Sequence, residues 1–201
     1  MRVCMQPPTE HCISGGNVLN SDVARYAHAA KFGGVYHDDD AQFIKQPKLW
    51  PSVYPHLPWR DASLVIGIEF PRPYGQGPPG CCLQFVQWSF ACKRGSLIME
   101  SIAKQARLNL HQNPTSTQNA VELTGPLLFT QSIYRHIRDA FVLSDVEHHG
   151  AAYKSLLTKE IIIVLPYRAF GIHWAHSGSH IRRDPSSDWL IRHKFRGRWR
   201  Q

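Results

Sequence analysis

The chain has 201 residues and a mass of 22.9 kDa, room for one compact domain or one domain with a trailing segment. With 43% hydrophobic and 19% charged residues it can bury a core, which excludes a disordered polymer, and 14 Gly with 14 Pro point to many loops. The net charge of +8, with 12 His besides, suits anionic partners such as nucleic acid, phosphorylated sugars or acidic membrane surfaces. The longest apolar run, Ile161 to Pro166, is far too short to cross a bilayer, and the first residues lack the apolar stretch of a signal peptide. An integral span and secretion by the chain's own signal are therefore not expected. The five cysteines include no C-x-x-C pair, so thiol-based zinc or redox chemistry is not expected either.

In chain order, residues 1–20 read as an irregular, Pro/Gly/Ser/Asn-rich lead-in. Ser21 is placed to cap a helix with Asp22 in its first turn. Val23, Tyr26, Ala27 and Ala30 form one helical face, and Gly33 ends it. Val35-Tyr36 begins a short strand leading into Asp38-Asp39-Asp40. Residues 45–62, with four prolines, read as loop-like, and Leu64–Phe70 as a buried strand. Gln84–Ala91 fits helix or strand equally. Ser96–His111 predicts a helix with Ile98, Ile102, Ala106 and Leu110 four apart, and Gly125-Pro126 opens another. Ile161–Leu165 predicts a strand. Strands alternating with helices imply a layered α/β domain over 21–180, followed by a basic tail over 181–201. The tail interleaves cations with Phe195 and Trp199; a solvated, frayed segment is expected there rather than a nucleic-acid or membrane contact.

Asp38-Asp39-Asp40 is unusual in so basic a chain. In extended backbone Asp38 and Asp40 project to the same side, where their charges repel unless a cation lies between them. A hard divalent ion accepts carboxylate oxygens and keeps positions for phosphate oxygens. A solvated acidic loop is the alternative, and a bare D-x-D favours it.

The surrounding residues add a pattern. Asp22, Arg25 and Tyr26, then Gly33-Gly34-Val35-Tyr36, then Asp38-x-Asp40, resemble the signature of glycosyltransferase family 32. Leu64-Val65-Ile66-Gly67-Ile68-Glu69, Gln84-Phe85-x-Gln87-Trp88 and Leu123-Thr124-Gly125-Pro126 are similar to its later blocks and follow in the same order. The G-I-E and Q-F-x-Q-W blocks are closest to the fungal initiation-specific alpha-1,6-mannosyltransferase branch.

The resemblance implies a GT-A-like fold, a mixed α/β sheet with flanking helices, here without the first nucleotide-binding strand that precedes the Asp22 helix in the family. It implies retaining transfer of mannose from GDP-mannose, rather than a UDP-sugar, to a glycan acceptor of the N-glycan outer-chain type. It further implies Mn2+ or Mg2+ at the D-x-D, a Golgi lumen or membrane location, and a place in a glycosyltransferase complex; nucleic acid is not an expected partner. By the same resemblance Asp22, Arg25, Tyr26, Gly33, Gly34, Asp38 and Asp40 bind the donor, and Asp22, Arg25 and Asp40 serve catalysis. Asp38, Asp40 and His173 would hold the metal, with His176 behind His173. Taken alone, Asp22 and Arg25 form an i, i+3 ion pair worth only about 0.2–0.5 kcal/mol. His180 stands where the family has Trp. The missing strand predicts weak or absent activity for this chain, and the alternative function is an inactive nucleotide-sugar or glycan-binding relative.

Overall fold

A computed structural model describes residues 17–70, 84–113, 120–137, 149–172 and 188–194. Helix α1 (Asn17–Phe32) leads into strand β1 (Gly34–His37) and, after a tight turn, strand β2 (Ala41–Phe43). A single 3-10 turn at Pro47–Leu49 and the short helix α2 (Trp50–Val53) follow. Next come β3 (Ala62–Phe70), β4 (Gln84–Cys92), α3 (Leu97–Gln112), α4 (Ala120–Leu123) and α5 (Pro126–Ile137). Strands β5 (Ala151–Lys154), β6 (Ile161–Val164), β7 (Phe170–Ile172) and β8 (Ile191–His193) complete the described elements.

The main sheet has the order β1-β4-β3-β6-β5, with β3 and β6 parallel and the other pairs antiparallel. Strands β1, β3 and β6 therefore run the same way and end on one edge. A second sheet, β2-β8-β7, pairs β2 antiparallel and β7 parallel to β8. The architecture is mixed α/β with flanking helices, as the alternation of patterns predicts.

Period-two alternation sorts β3 between two cores. Leu64, Ile66 and Ile68 face α1, α3 and α5, together with Tyr26, Phe90, Ile98, Ile102, Phe129 and Ile133. Val65 faces the opposite side, where Trp50, Tyr54, Trp88, Phe170 and Ile191 gather. On that side a Cβ on Gly67 would come within 2.6 Å of the Phe170 ring, so only glycine lets the second sheet lie this close. Strand β4, undecided by periodicity, is a strand because it lies between β1 and β3 with apolar partners on both faces.

Three expectations need correction. Helix α1 starts at Asn17, so residues 17–20 are not lead-in, Ser21 is not its cap and Asp22 is not in its first turn. The polar Asn17–Asn20 turn carries Val18 and Leu19, and helix continuity prevails over the weak propensity of its asparagines. Residues 38–40 are not extended: the Ala41 amide donates to the Asp38 carbonyl at 3.0 Å, closing a turn. Arg192 and His193 are not frayed tail. They belong to β8, and Leu190, Ile191 and His193 are buried.

Gly33 ends α1 as expected, with φ +66° and its amide bonded to the Ala29 carbonyl at 2.8 Å. A Cβ there would sit 2.4 Å from the Arg94 amide nitrogen, a sufficient structural reason for glycine whatever else binds nearby. No described helix is long and apolar enough to cross a membrane.

Candidate metal and donor site

The edge where β1 and β3 end carries a concentration of charge. Asp38 follows β1, and its amide donates to the Trp88 carbonyl of β4 at 2.9 Å. This is where the β3–β4 register slips, between the Ile66–Phe90 and Ile68–Phe85 pairs. Such irregularities re-aim side chains at sheet margins. Here the slip sends Gln87 toward α1 and turns Trp88 toward the second sheet.

On the helix side, Arg25 ties the edge together. Its guanidinium contacts Asp22 Oδ1 at 3.1 Å and Asp38 Oδ1 at 3.2 Å, and lies 4.9 Å from the centre of the Tyr36 ring. The i, i+3 pair expected of Asp22 and Arg25 is thus present, extended to a third member. Tyr36 donates its hydroxyl to Asp38 Oδ1 at 2.6 Å. Asp22 also accepts from Gln87 at 2.9 Å and from the Thr124 hydroxyl at 2.9 Å. Tyr26 receives the Gln87 amide at 2.7 Å and donates to the Thr124 carbonyl at 2.8 Å. Burial pushes the Asp22 carboxyl above its ordinary range, outweighing Arg25, Gln87 and Thr124, which pull it down. Burial alone would lower Arg25, but Asp38, Tyr36 and Asp22 around it raise it further, so it stays a cation. Burial, and then the nearby Asp22 charge, hold the Tyr26 hydroxyl protonated.

On the other side, β8 supplies His193. Its Nε2 lies 2.9 Å from Asp40 Oδ1, and its ring sits 4.6 Å from that of Trp88. Burial lowers the His193 pKa, against Asp40, Asp38 and Asp39, which raise it. One potential ligand atom from each of Asp38, Asp40 and His193 lies within 4.8 Å of the others. Two carboxylates and an imidazole form a donor set that a divalent ion can use, and the spacing fits one.

The structure brings Asp22, Arg25, Tyr26, Asp38 and Asp40 to one edge, and Gly33 and Gly34 to the opposite end of β1. His173, His176 and His180 lie outside the described residues. The sequence reading missed His193, hidden among the cations of Arg192–Arg200. Ile191, Arg192 and His193 alternate buried, partly exposed and buried, but three residues inside a basic stretch are too short a pattern to read from sequence.

Glu69, in the Leu64–Glu69 block, is a further acid at this edge that no site motif marks. It lies near the end of β3, on the same edge as Asp38. Its carboxylate accepts from Gln84 at 3.0 Å, and the Trp88 indole N–H lies near without closing a hydrogen bond. Burial, and to a lesser degree the charge of Asp38, raises its pKa to about 7. The folded protein therefore holds this proton more tightly than the unfolded chain, and stability falls as pH rises from about 4.5 to about 7. In metal-free protein Glu69→Gln is expected to flatten that fall, worth up to about 1.4 kcal/mol per pH unit. Urea melts across the window check it, and parallel curves for the two proteins would remove Glu69 as the cause.

No protein-family profile and no curated protein matches the chain. Among solved structures it is similar to one titled "PaToxG Glycosyltransferase", with 23% identity and a TM-score of 0.39. The alignment covers 61% of this chain and 36% of that one, so the chain spans well under half of that protein. A superposition this loose transfers neither a site nor an activity.

Proposed function

We propose that the chain is a metal-dependent glycosyltransferase that moves mannose, with retention, from GDP-mannose to a glycan acceptor. The observation that carries this reading is the convergence of Asp38, Asp40 and His193 at the edge where β1 and β3 end. Open α/β sheets bind nucleotides at such carboxyl ends. The sequence blocks shared with glycosyltransferase family 32 give it its direction. A divalent ion held there would offset the negative charge that develops on a departing diphosphate.

The chain's own residues have defined tasks in this reading. Arg25 and Tyr36 hold Asp38 in place, and Asp22, clasped by Gln87 and Thr124, holds Arg25. Buried Arg25 Nε lacks a hydrogen-bond partner among the described residues and is a donor that an anionic or hydroxyl-rich ligand would satisfy. Asp22 already has three partners through its two oxygens. That saturation favours a second reading, in which the site binds a nucleotide sugar without turning it over. A Golgi setting and a glycosyltransferase complex belong to the proposal through the resemblance alone.

Titration calorimetry with GDP, with and without Mn2+, tests the site, and mass spectrometry of a mannoside acceptor incubated with GDP-mannose tests transfer. Metal-dependent GDP binding with a mannose-extended product is expected. Binding without product selects the second reading, and no metal-dependent binding of GDP or UDP overturns both.

A further inference from the structure

The opposite end of the molecule carries a second concentration of charge that this reading does not use. Helix α1 ends in Lys31 and Phe32, and the turn Lys93–Gly95 lies against Gly33, with the Gly95 amide bonded to the Ala30 carbonyl at 2.7 Å. Helix α3 leaves that turn and presents Leu97, Glu100, Lys104, Arg107, Leu108 and His111 outward along successive turns. Lys31, Lys93, Arg94, Lys104 and Arg107 are all exposed, and none takes part in an ion pair among the described residues. Glu100 is the acid among these outward groups of α3.

Apolar groups are interleaved with these cations. Phe32 and Leu97 are each 50% exposed and Leu108 is 44% exposed. Along α1 and α3 runs an open groove of about 700 Å³ lined by Ala27, Ala30 and Ala103 and by Lys31, Lys104 and Arg107, with Glu100 as the acid among its lining residues. Ala30 and Ala103 are themselves buried, so the groove is a shallow surface depression whose flanking cations offer charge for phosphate. Nucleic acid would call for flat rings on which to stack, and of the three apolar groups only Phe32 is aromatic. Alternating cations and half-exposed aliphatic side chains suit a lipid interface, where chains enter the boundary and cations meet headgroups.

We propose that this face, formed by the end of α1, the Lys93–Gly95 turn and the outer side of α3, docks on an anionic phospholipid surface. The edge bearing Asp38 lies at the far end of β1 from Gly33, so docking in this pose leaves that edge turned toward solvent. The inference stands independently of the site's chemistry.

Flotation with phosphatidylcholine vesicles, with and without phosphatidylserine, tests it on the full chain. Binding is expected with phosphatidylserine only, weakening as salt rises. Lys104→Glu with Arg107→Glu should weaken partitioning by roughly 20-fold or more, since each basic residue near such a surface contributes about fivefold. The charge-preserving pair Lys104→Arg with Arg107→Lys should bind like the parent, and Phe32→Ser with Leu97→Ser should lose the binding that survives high salt. Circular dichroism of each variant separates loss of docking from loss of fold. Equal binding to neutral vesicles, undiminished binding of the folded charge-reversed variant, or binding of single-stranded RNA but not of vesicles would each overturn the proposal.

Discussion

Replacing Asp38 and Asp40 together with alanine is expected to abolish divalent-ion binding. Two of the three converging groups disappear, and His193 alone makes a weak monodentate site. Loss of supporting groups around a metal already costs about 10–100-fold in affinity, so loss of two direct ligands should exceed that range. Titration of Mn2+ into parent and variant reads it, with GDP binding following the metal. His193→Ala should give an intermediate loss, because both carboxylates remain. Unchanged Mn2+ affinity in the double variant would remove the cluster as a metal site and the proposed transferase with it. Stability is the necessary control. His193 loses its partner Asp40, but Arg25 still has Asp22, so the fold should survive.

The second large effect concerns Arg25. Its side chain is 11% exposed and that of Asp22 5% exposed, so their pair sits in a medium that screens charge poorly. Arg25→Met keeps much of the volume but leaves Asp22 buried opposite no cation. Breaking a buried pair from one side costs about 3–5 kcal/mol. The low end is expected, because burial already biases Asp22 toward its neutral form and protonation offers relief. The loss should accordingly deepen as pH rises through the acid range. Adding Asp22→Asn should recover part of it, since the buried carboxylate is then gone and only the partly exposed Asp38, still held by Tyr36, lacks its cation. Guanidinium melts of the parent, Arg25→Met and the double variant close the cycle. A loss below about 1 kcal/mol for Arg25→Met would mean the triad is solvated rather than buried.

Much of the architecture is legible in the residues, and the misses share a cause. Helix α3 declares itself because Ser96 caps it, accepting the Met99 amide at 3.4 Å, and because Ile98, Ile102 and Ala106 keep one face. Strands β3 and β6 are legible as apolar β-branched runs too short for helices. Strand β4 is not, because a central strand is apolar on both faces and loses its alternation. Strand β8 is not, because its inward residues stand within a basic stretch and composition masks a three-residue pattern. In the site, Asp38 and Asp40 are legible as neighbours, though a turn rather than an extended segment unites them. Partners from distant segments, His193, Gln87 and Thr124, were beyond any local rule, since tertiary pairing alone joins them to residues 22–40.

The second sheet joins Ala41–Phe43, directly after the acidic turn, to Ile191–His193 from far along the sequence. An ion gripped by Asp38, Asp40 and His193 would act as a rivet between those distant stretches, its binding energy entering the folding equilibrium of the sheet it fastens. Backbone amides of β8 should then exchange with solvent more slowly once metal is added. The chain's final fastening and its loading would become a single cooperative event.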